Sequence, residues 1–241
     1  MTDVRDRTST IPMPSPEFQA LVCGPDFTHL FHNAALWLIA ALGYEQMCGA
    51  NVDILDVGCG CGRVARYLVA EPLASYTGFD RHAGMIEYCR AAIRDPRFTF
   101  DHFDVENTFG PEDGTVGANP AQTFAFPYPA AAFDHALLAS IFTHAPPAEA
   151  ALYLGELGRV LRPGGKALLS VSFSQTQRVE TSDNRLHVFY EPERFEADLR
   201  ASAFEARSAG YTYTPGEPFR PGQQPERHYG SSPKWYVLTR R

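Results

Sequence analysis

A carboxylate followed by three alternating glycines is the feature of this sequence best suited to chemistry. A short apolar run ends at Asp56, and Gly58, Gly60 and Gly62 follow it. Glycines in such a loop let the backbone turn tightly and approach a ligand without interference from a Cβ atom. Asp80 ends the next β-rich run, 22 residues after Gly58. A carboxylate there can accept hydrogen bonds from both hydroxyls of a ribose, so the spacing predicts a nucleoside site.

The charge at this turn bears on which nucleoside cofactor is bound. The run from Gly60 to Ala65 matches the G-x-G-x-x-A pattern of dinucleotide sites. A pyrophosphate, however, needs a helix N-terminus with no carboxylate beside it. Asp56 would repel a pyrophosphate and attract a cation. S-adenosylmethionine carries an ammonium and a sulfonium and no phosphate, so the charge favours it over a dinucleotide. A glycine turn without any ligand is the remaining alternative.

The elements that must position these residues alternate between strand-like and helix-like patterns. Before them, Phe27 to Leu42 has apolar residues at helical spacing, with Asp26 as the N-cap and Gly43 as the stop. The alternation predicts a parallel sheet covered by helices on both faces. The predicted strands are Val52–Val57, Tyr76–Phe79, Arg97–Phe103, Phe133–Ala139 and Lys166–Phe173, with Ala209–Thr214 and Lys234–Arg240 as a closing pair.

Taken in order, these segments resemble the class I S-adenosylmethionine-dependent methyltransferases from about Ile54 to Phe173. The runs similar to that family's motifs are LDVGCGCG, YTGFD, FTFDHFDVEN, FDHALLASIFTH and LGRVLRPGGKALLSVSF. The resemblance implies a Rossmann-like, doubly wound α/β fold with three α/β/α layers. Its sheet would have seven mostly parallel strands, with an antiparallel last strand near Lys234–Arg240.

The resemblance also implies which residues bind the methionine end of the cofactor. They are Asp56, Gly58, Cys59 and Gly60 after the first strand, and Ala139 and Ser140 after the fourth. The glycine loop would lie against the methionine, and Asp56 would steady both the loop and the ammonium. The product would be S-adenosylhomocysteine, and no metal is expected.

Four further residues are implied at the adenosine end. Asp80 would bind the ribose, and Arg81 would lie near the adenine. Asp104 would lie near the adenine amino group, and Val105 beside the ring.

The reaction implied is in-line displacement at the methyl carbon by a small-molecule acceptor with an oxygen or nitrogen nucleophile. His144, just past the fourth strand, is the candidate general base, because the unperturbed pKa of histidine is about 6.5. The alternative role for His144 is to cap the turn from Thr143 to Pro147. Two other functions stay open: an adenosylmethionine-binding module without catalysis, and a nucleotide-dependent reductase.

The sequence predicts one methyltransferase domain over residues 25–241, after a flexible tail over 1–24. A covering helix is expected within 25–50. An insertion loop over 106–130 is irregular and rich in glycine and proline, which fits either a lid over the substrate or a surface insertion.

Composition limits the partners. The chain has 28 acidic and 21 basic residues, a net charge of −7, which disfavours nucleic acid as the partner. The longest apolar run, Ala34–Leu42, is far shorter than the ~20 residues that span a bilayer. Five cysteines without a CxxC pair indicate free thiols in a reducing compartment, so a cytoplasmic location is expected; the sequence does not indicate an oligomeric state.

Overall fold

The computed structural model describes residues 10–103, 125–182, 185–221 and 233–241. The chain divides into two compact units, one formed by residues 1–103 with 213–219 and the other by 104–212 with 220–241. They are called the first unit and the second unit below. The single domain over 25–241 stays a prediction.

The first unit holds three parallel strands in the order β3-β2-β1, with Asp56 on β1 opposite Gly78 on β2. All residues of β1 after the first are buried, as expected of a strand covered on both faces. Its elements are α1 (Pro16–Cys23), a 3-10 helix (Pro25–Leu30), α2 (Phe31–Tyr44), β1 (Asp53–Val57), α3 (Ala65–Leu68), β2 (Ser75–Asp80), α4 (Ala83–Ala92) and β3 (Phe98–His102).

Part of the predicted N-terminal tail is helical. The side chain of Ser15 caps α1 by accepting a backbone N–H, and a proline occupies the first helical turn. Ahead of α1, the Arg66 guanidinium donates to the carbonyls of Ile11 and Pro12 at 2.6 and 2.9 Å. Arg66 of α3 thus contacts the chain just ahead of α1, and the flexible tail over 1–24 stays a prediction. The first nine residues lie outside the described residues.

The covering helix begins later than predicted. Gly24 at φ 90° and Pro25 start a 3-10 turn, so Asp26 lies inside that turn and is not the N-cap of α2. The α-helix itself starts at Phe31 and ends at Tyr44, one residue past the predicted stop.

The second unit holds strands in the order β4-β5-β9-β8, where β9 is antiparallel to both of its neighbours. An antiparallel hairpin, β6–β7, adjoins the carboxyl end of β5, with Phe173 opposite Tyr190. Its elements are β4 (Phe133–Leu138), α5 (Pro147–Val160), β5 (Leu161–Phe173), β6 (Arg178–Ser182), β7 (Arg185–Tyr190), α6 (Pro192–Ala201), β8 (Phe204–Ser208) and β9 (Lys234–Arg240).

The predicted fold class is confirmed: a Rossmann-like α/β protein with a mostly parallel sheet of seven strands and an antiparallel last strand. The β6–β7 hairpin adds to those seven and was missed by the sequence pattern. The strand predicted at Ala209–Thr214 was wrong, because β8 lies at Phe204–Ser208, directly after α6. Among the described helices, none has both the length and the apolar composition needed to cross a membrane.

Candidate functional site

The glycine loop after β1 is tied to the end of β2 through its own backbone. The N–H groups of Gly58 and Cys59 both donate to the carbonyl of Phe79, at 2.9 and 3.0 Å. Gly58, Gly60 and Gly62 have φ values of 72°, 55° and 70°. This left-handed backbone is strained for residues with a Cβ atom, so the alternating glycines follow from the shape of the loop.

Asp80 at the end of β2 also holds this loop. One carboxylate oxygen accepts the N–H of Gly60 at 2.8 Å, and the other accepts the N–H of His82 at 2.9 Å. A carboxylate has about four acceptor positions, so these two bonds leave capacity for the hydroxyls of a ribose. Sequence reasoning placed Asp80 at the end of this strand but did not identify its role as a brace for the loop.

Asp56 is buried, with only 3% of its surface exposed. The Tyr76 hydroxyl donates to its carboxylate at 2.6 Å. Burial raises the pKa of Asp56 to about 7, and the Tyr76 hydrogen bond and the charge of Arg63 oppose that rise. A cation bound beside Asp56 would favour its charged form. Tyr76 was missed, since a tyrosine in the middle of β2 carries no motif signal.

Cys59 fills space that a glycine of β2 leaves open. A Cβ atom on Gly78 would lie 2.9 Å from the side chain of Cys59, so the loop packs directly on the strand. All five cysteines are free thiols. Burial raises the pKa of Cys61 to about 12 and that of Cys59 well above its usual range, so both are protonated packing residues at neutral pH.

Helix α1 covers the outer side of the glycine loop. A Cβ atom on Gly60 would lie 2.9 Å from Val22 of α1. Phe18 and Val22 pack against a buried cluster that includes Cys61 and Met85. This cover could not be predicted, because the pattern of the N-terminal segment is polar and rich in proline.

Of the remaining residues implied at the adenosine end, Arg81 is among the described residues. Arg81 is half-buried, and its carbonyl accepts a hydrogen bond from the Nε2 atom of His102 at 2.9 Å. Asp104 and Val105 lie outside the described residues, as does the predicted loop up to residue 124. The end of that loop is held by Arg159 of α5, which donates to the carbonyls of Phe126 and Tyr128.

In the second unit, Ala139 and Ser140 follow β4. Ala139 is half-buried and Ser140 is exposed. Ser140 has a φ of 66°, which is uncommon for a residue other than glycine and costs of order 1–3 kcal/mol. Its N–H donates to the hydroxyl of Ser170 at 2.8 Å, which holds it in this conformation.

His144 lies in the turn of residues 140–145, called the His144 turn below. Strand β7 holds this turn through three hydrogen bonds. Val188 donates its N–H to the Thr143 carbonyl at 2.8 Å, and the Tyr190 hydroxyl donates to the Ala145 carbonyl at 2.6 Å. The Nδ1 atom of His144 bonds to the carbonyl of Leu186. A carbonyl only accepts, so Nδ1 carries the proton and, in the neutral ring, Nε2 carries the lone pair.

Comparison with known proteins identifies the domain. A family model described as a methyltransferase domain matches residues 55–169, a range that begins within β1 and includes the glycine loop, β2 and β4. Residues 55–169 are therefore a methyltransferase domain. Methyltransferase GfsG of Streptomyces halstedii is 28% identical over 128 residues, which cover 53% of this chain and 40% of that protein. The matched part of this methyltransferase thus spans less than half of that relative.

Solved structures share the fold of the methyltransferase. The Burkholderia thailandensis 1,6-didemethyltoxoflavin-N1-methyltransferase, bound to 1,6-didemethyltoxoflavin and S-adenosylhomocysteine, has a TM-score of 0.56 at 19% identity, over 95% of this chain and 92% of that one. A Mesorhizobium loti S-adenosylmethionine-dependent methyltransferase has a TM-score of 0.58 at 15% identity, over 88% and 100%. The [4+2]-cyclase SpnF has a TM-score of 0.53 at 21% identity, over 73% and 59%. The cyclase shows that this fold also hosts other reactions.

The Burkholderia structure holds S-adenosylhomocysteine, the product that S-adenosylmethionine leaves after methyl transfer. Within the described ranges, no group of three or more His, Cys, Asp and Glu side chains is arranged to hold a metal ion.

Proposed function

We propose that this methyltransferase transfers the methyl group of S-adenosylmethionine to an oxygen or nitrogen atom of a small-molecule acceptor. The observation that carries the proposal is the glycine loop braced by Asp80, with the buried carboxylate of Asp56 at the start of the loop. Together they offer a nucleoside acceptor and a partner for a cation.

The first unit supplies the residues proposed to hold the cofactor. Asp80 binds the ribose while it braces Gly60, and the left-handed glycines let the methionine chain approach the backbone. Asp56 binds the ammonium. Arg81 contributes next to the adenine. Ala139 and Ser140 remain predicted contacts of the methionine end, and Asp104 and Val105 remain predicted contacts of the adenine.

When bound, the cofactor supplies a methyl group activated by a positively charged sulfur. The protein then mainly has to align the acceptor and exclude water, and such positioning contributes about 7–11 kcal/mol to lowering a barrier. His144 is the proposed base. The Leu186 carbonyl fixes its Nδ1–H tautomer, which leaves the basic lone pair on Nε2 to accept the proton of a hydroxyl or ammonium acceptor.

Two observations support a small acceptor. The Burkholderia structure was solved with 1,6-didemethyltoxoflavin, a small molecule. The chain has 28 acidic and 21 basic residues, and this net charge of −7 opposes binding to a polyanion. We extend the small-molecule class to this chain on these grounds.

The test is a methyl-transfer screen with S-adenosylmethionine labelled on its methyl group. The purified protein is incubated with small hydroxyl and amine compounds, and in parallel with tRNA, DNA and denatured protein. We expect label in one small-molecule class alone. Label in nucleic acid or protein would contradict the acceptor class. Tight S-adenosylhomocysteine binding without turnover on any acceptor would favour the binding module, and saturable nicotinamide binding without adenosylmethionine binding would favour the reductase.

A further inference from the structure

The His144 turn begins at a residue whose backbone conformation is rare for serine. Ser140 has a φ of 66°, in the left-handed region that favours glycine. Such a residue persists only where its surroundings hold it, and residues of this kind cluster at functional sites. Ser140 comes four residues before His144, the proposed base, so the contacts that hold Ser140 also affect the position of the His144 ring.

A buried serine on β5 holds the start of the turn. The backbone N–H of Ser140 donates to the hydroxyl of Ser170 at 2.8 Å. Ser170 is 1% exposed and lies between Leu169 and Val171, which are fully buried. Burying a hydroxyl is unfavourable unless it forms a hydrogen bond, so the bond to Ser140 explains why a serine occupies this apolar stretch of the strand.

Thr143 joins the start of the turn to its end. Its hydroxyl donates to the carbonyl of Ser140 at 2.9 Å, and its own carbonyl accepts the N–H of Val188 on β7 at 2.8 Å. Thr143 is 7% exposed. Within the turn, the N–H of His144 donates to the carbonyl of Ile141 at 3.0 Å. The backbone that carries His144 is therefore tied to β5 through Ser140 and to β7 through Thr143.

We propose that Ser170 and Thr143 are positioning residues for His144. This inference rests on the proposed function, in which Nε2 of His144 takes the proton of the acceptor. Ser170 acts through the conformation of Ser140, and Thr143 closes the turn onto the carbonyl of the same residue. Loss of either hydroxyl lets the turn relax, and a shift of ~1 Å at a reacting group can lower a rate by about 10².

The first experiment measures turnover of the full chain with the acceptor found in the labelled-methyl screen. Ser170→Ala and Thr143→Val should each lower kcat about ten- to hundredfold. The affinity for S-adenosylhomocysteine should change much less, because Asp80 and the glycine loop lie in the first unit. Thr143→Ser keeps the hydroxyl and should retain most of the activity.

Ser202→Ala is the matched control for Ser170→Ala. The Ser202 hydroxyl also accepts a backbone N–H within the second unit, that of Phe204, at 3.3 Å. It does not contact the His144 turn in any hydrogen bond, since its hydroxyl donates to the carbonyl of Leu199. Ser202→Ala should therefore leave kcat unchanged.

A double-mutant cycle tests whether Ser170 acts through Ser140. Glycine adopts a left-handed φ at no steric cost, so Ser140→Gly makes the shape of the turn less dependent on Ser170. Ser170→Ala should lower kcat about tenfold or more in the wild type and by less than about threefold in the Ser140→Gly background. An equal loss in both backgrounds would overturn the proposed role of Ser170.

The tautomer of His144 gives a readout that does not depend on turnover. In the wild type the carbonyl of Leu186 fixes the proton on Nδ1. NMR of the imidazole nitrogens, at a pH where the ring is neutral, distinguishes the two tautomers. Ser170→Ala and Thr143→Val should show a mixture, because the relaxed turn no longer holds the ring against Leu186, and Thr143→Ser should match the wild type.

The outcomes separate this inference from the proposed function. If no acceptor is methylated, the proposed function fails, and the positioning role is overturned only if Ser170→Ala and Thr143→Val keep the wild-type tautomer. If an acceptor is found, the positioning role is overturned when both variants keep the wild-type kcat, or when Thr143→Ser loses as much as Thr143→Val. Thr143→Val preserves the shape of the side chain, so it keeps the test valid if Ser170→Ala does not fold.

Discussion

The glycine loop of the first unit and the His144 turn of the second are fixed by different parts of their surroundings. The loop is held from the neighbouring strand, where the Phe79 carbonyl and the Asp80 carboxylate accept its N–H groups. The turn is held from strand β7, which bonds to three consecutive residues of the turn and lies more than 40 residues further along the chain.

This difference separates the two tasks proposed for the protein: the glycine loop binds the cofactor, and the His144 turn activates the acceptor. The loop is fixed by parallel strands that the fold itself requires, so its shape follows from the sheet. The turn is fixed by a hairpin that adds to the seven-stranded sheet. A change in the hairpin can therefore alter the proposed acceptor side without altering the loop. The predictions below test that separation.

The largest effect is expected at His144. As a general base it should contribute about 10²–10⁴ to turnover, so His144→Ala should lower kcat by that factor and leave S-adenosylhomocysteine affinity unchanged. Turnover is measured with the acceptor found in the labelled-methyl screen. His187→Ala is the control, because its ring lies 5.2 Å from that of His144. Equal losses in the two variants would assign the effect to packing of the turn.

The next effect is expected at Gly60. An alanine there meets an unfavourable φ of 55° and a contact 2.9 Å from Val22. Gly164→Ala is the matched control, because its φ is 79° and no atom lies within 4 Å of the added Cβ. The control should lose about 1–2 kcal/mol of unfolding free energy. Gly60→Ala should lose more unfolding free energy than the control, and its affinity for the cofactor should also fall. Denaturant unfolding and calorimetry measure both, and equal unfolding losses would show that α1 does not constrain the loop.

A smaller effect is expected from Tyr76→Phe. Protonated Asp56 cannot attract the cofactor ammonium, so affinity should fall as the pH drops below about 7, the pKa that burial gives Asp56. Losing the Tyr76 hydroxyl raises this pKa, so the fall should begin at higher pH. At pH 7 the affinity should drop about two- to tenfold.

Calorimetric Kd values between pH 6 and 9 test the Tyr76→Phe prediction. Tyr88→Phe, which removes a hydroxyl bonded to the Pro12 carbonyl, should leave the pH profile unchanged. If the pH dependence of cofactor affinity is the same in Tyr76→Phe and the wild type, the proposal that Asp56 binds the ammonium is contradicted.

The sequence was most informative where the chemistry is local. Three alternating glycines and a carboxylate at the end of each of two strands predicted the loop, β1 and β2, and β9 was predicted with its observed bounds at Lys234–Arg240. These signals depend on backbone conformation and on the direction of strands, and short stretches of residues determine both.

Contacts between distant segments could not be read from such stretches. The Tyr76 hydroxyl reaches Asp56 because the two strands pair, and Val22 reaches Gly60 because α1 packs on the loop. The β6–β7 hairpin is short and only partly buried, and its pattern does not distinguish it from a loop. For the same reason, the pairing of Leu186 with His144, which fixes the tautomer of the proposed base, carried no sequence signal.

The central claim is that the glycine loop and Asp80 form the nucleoside site, and Asp80→Ala tests it most directly. Titration calorimetry with S-adenosylhomocysteine should show binding to the wild type and at least about tenfold weaker binding to Asp80→Ala, since a charge-assisted acceptor worth roughly 1.5–3 kcal/mol is removed. Asp53→Ala, at the opposite end of β1, where its carboxylate accepts from the Ser75 hydroxyl, should bind as the wild type does. Unchanged affinity in Asp80→Ala would contradict the account.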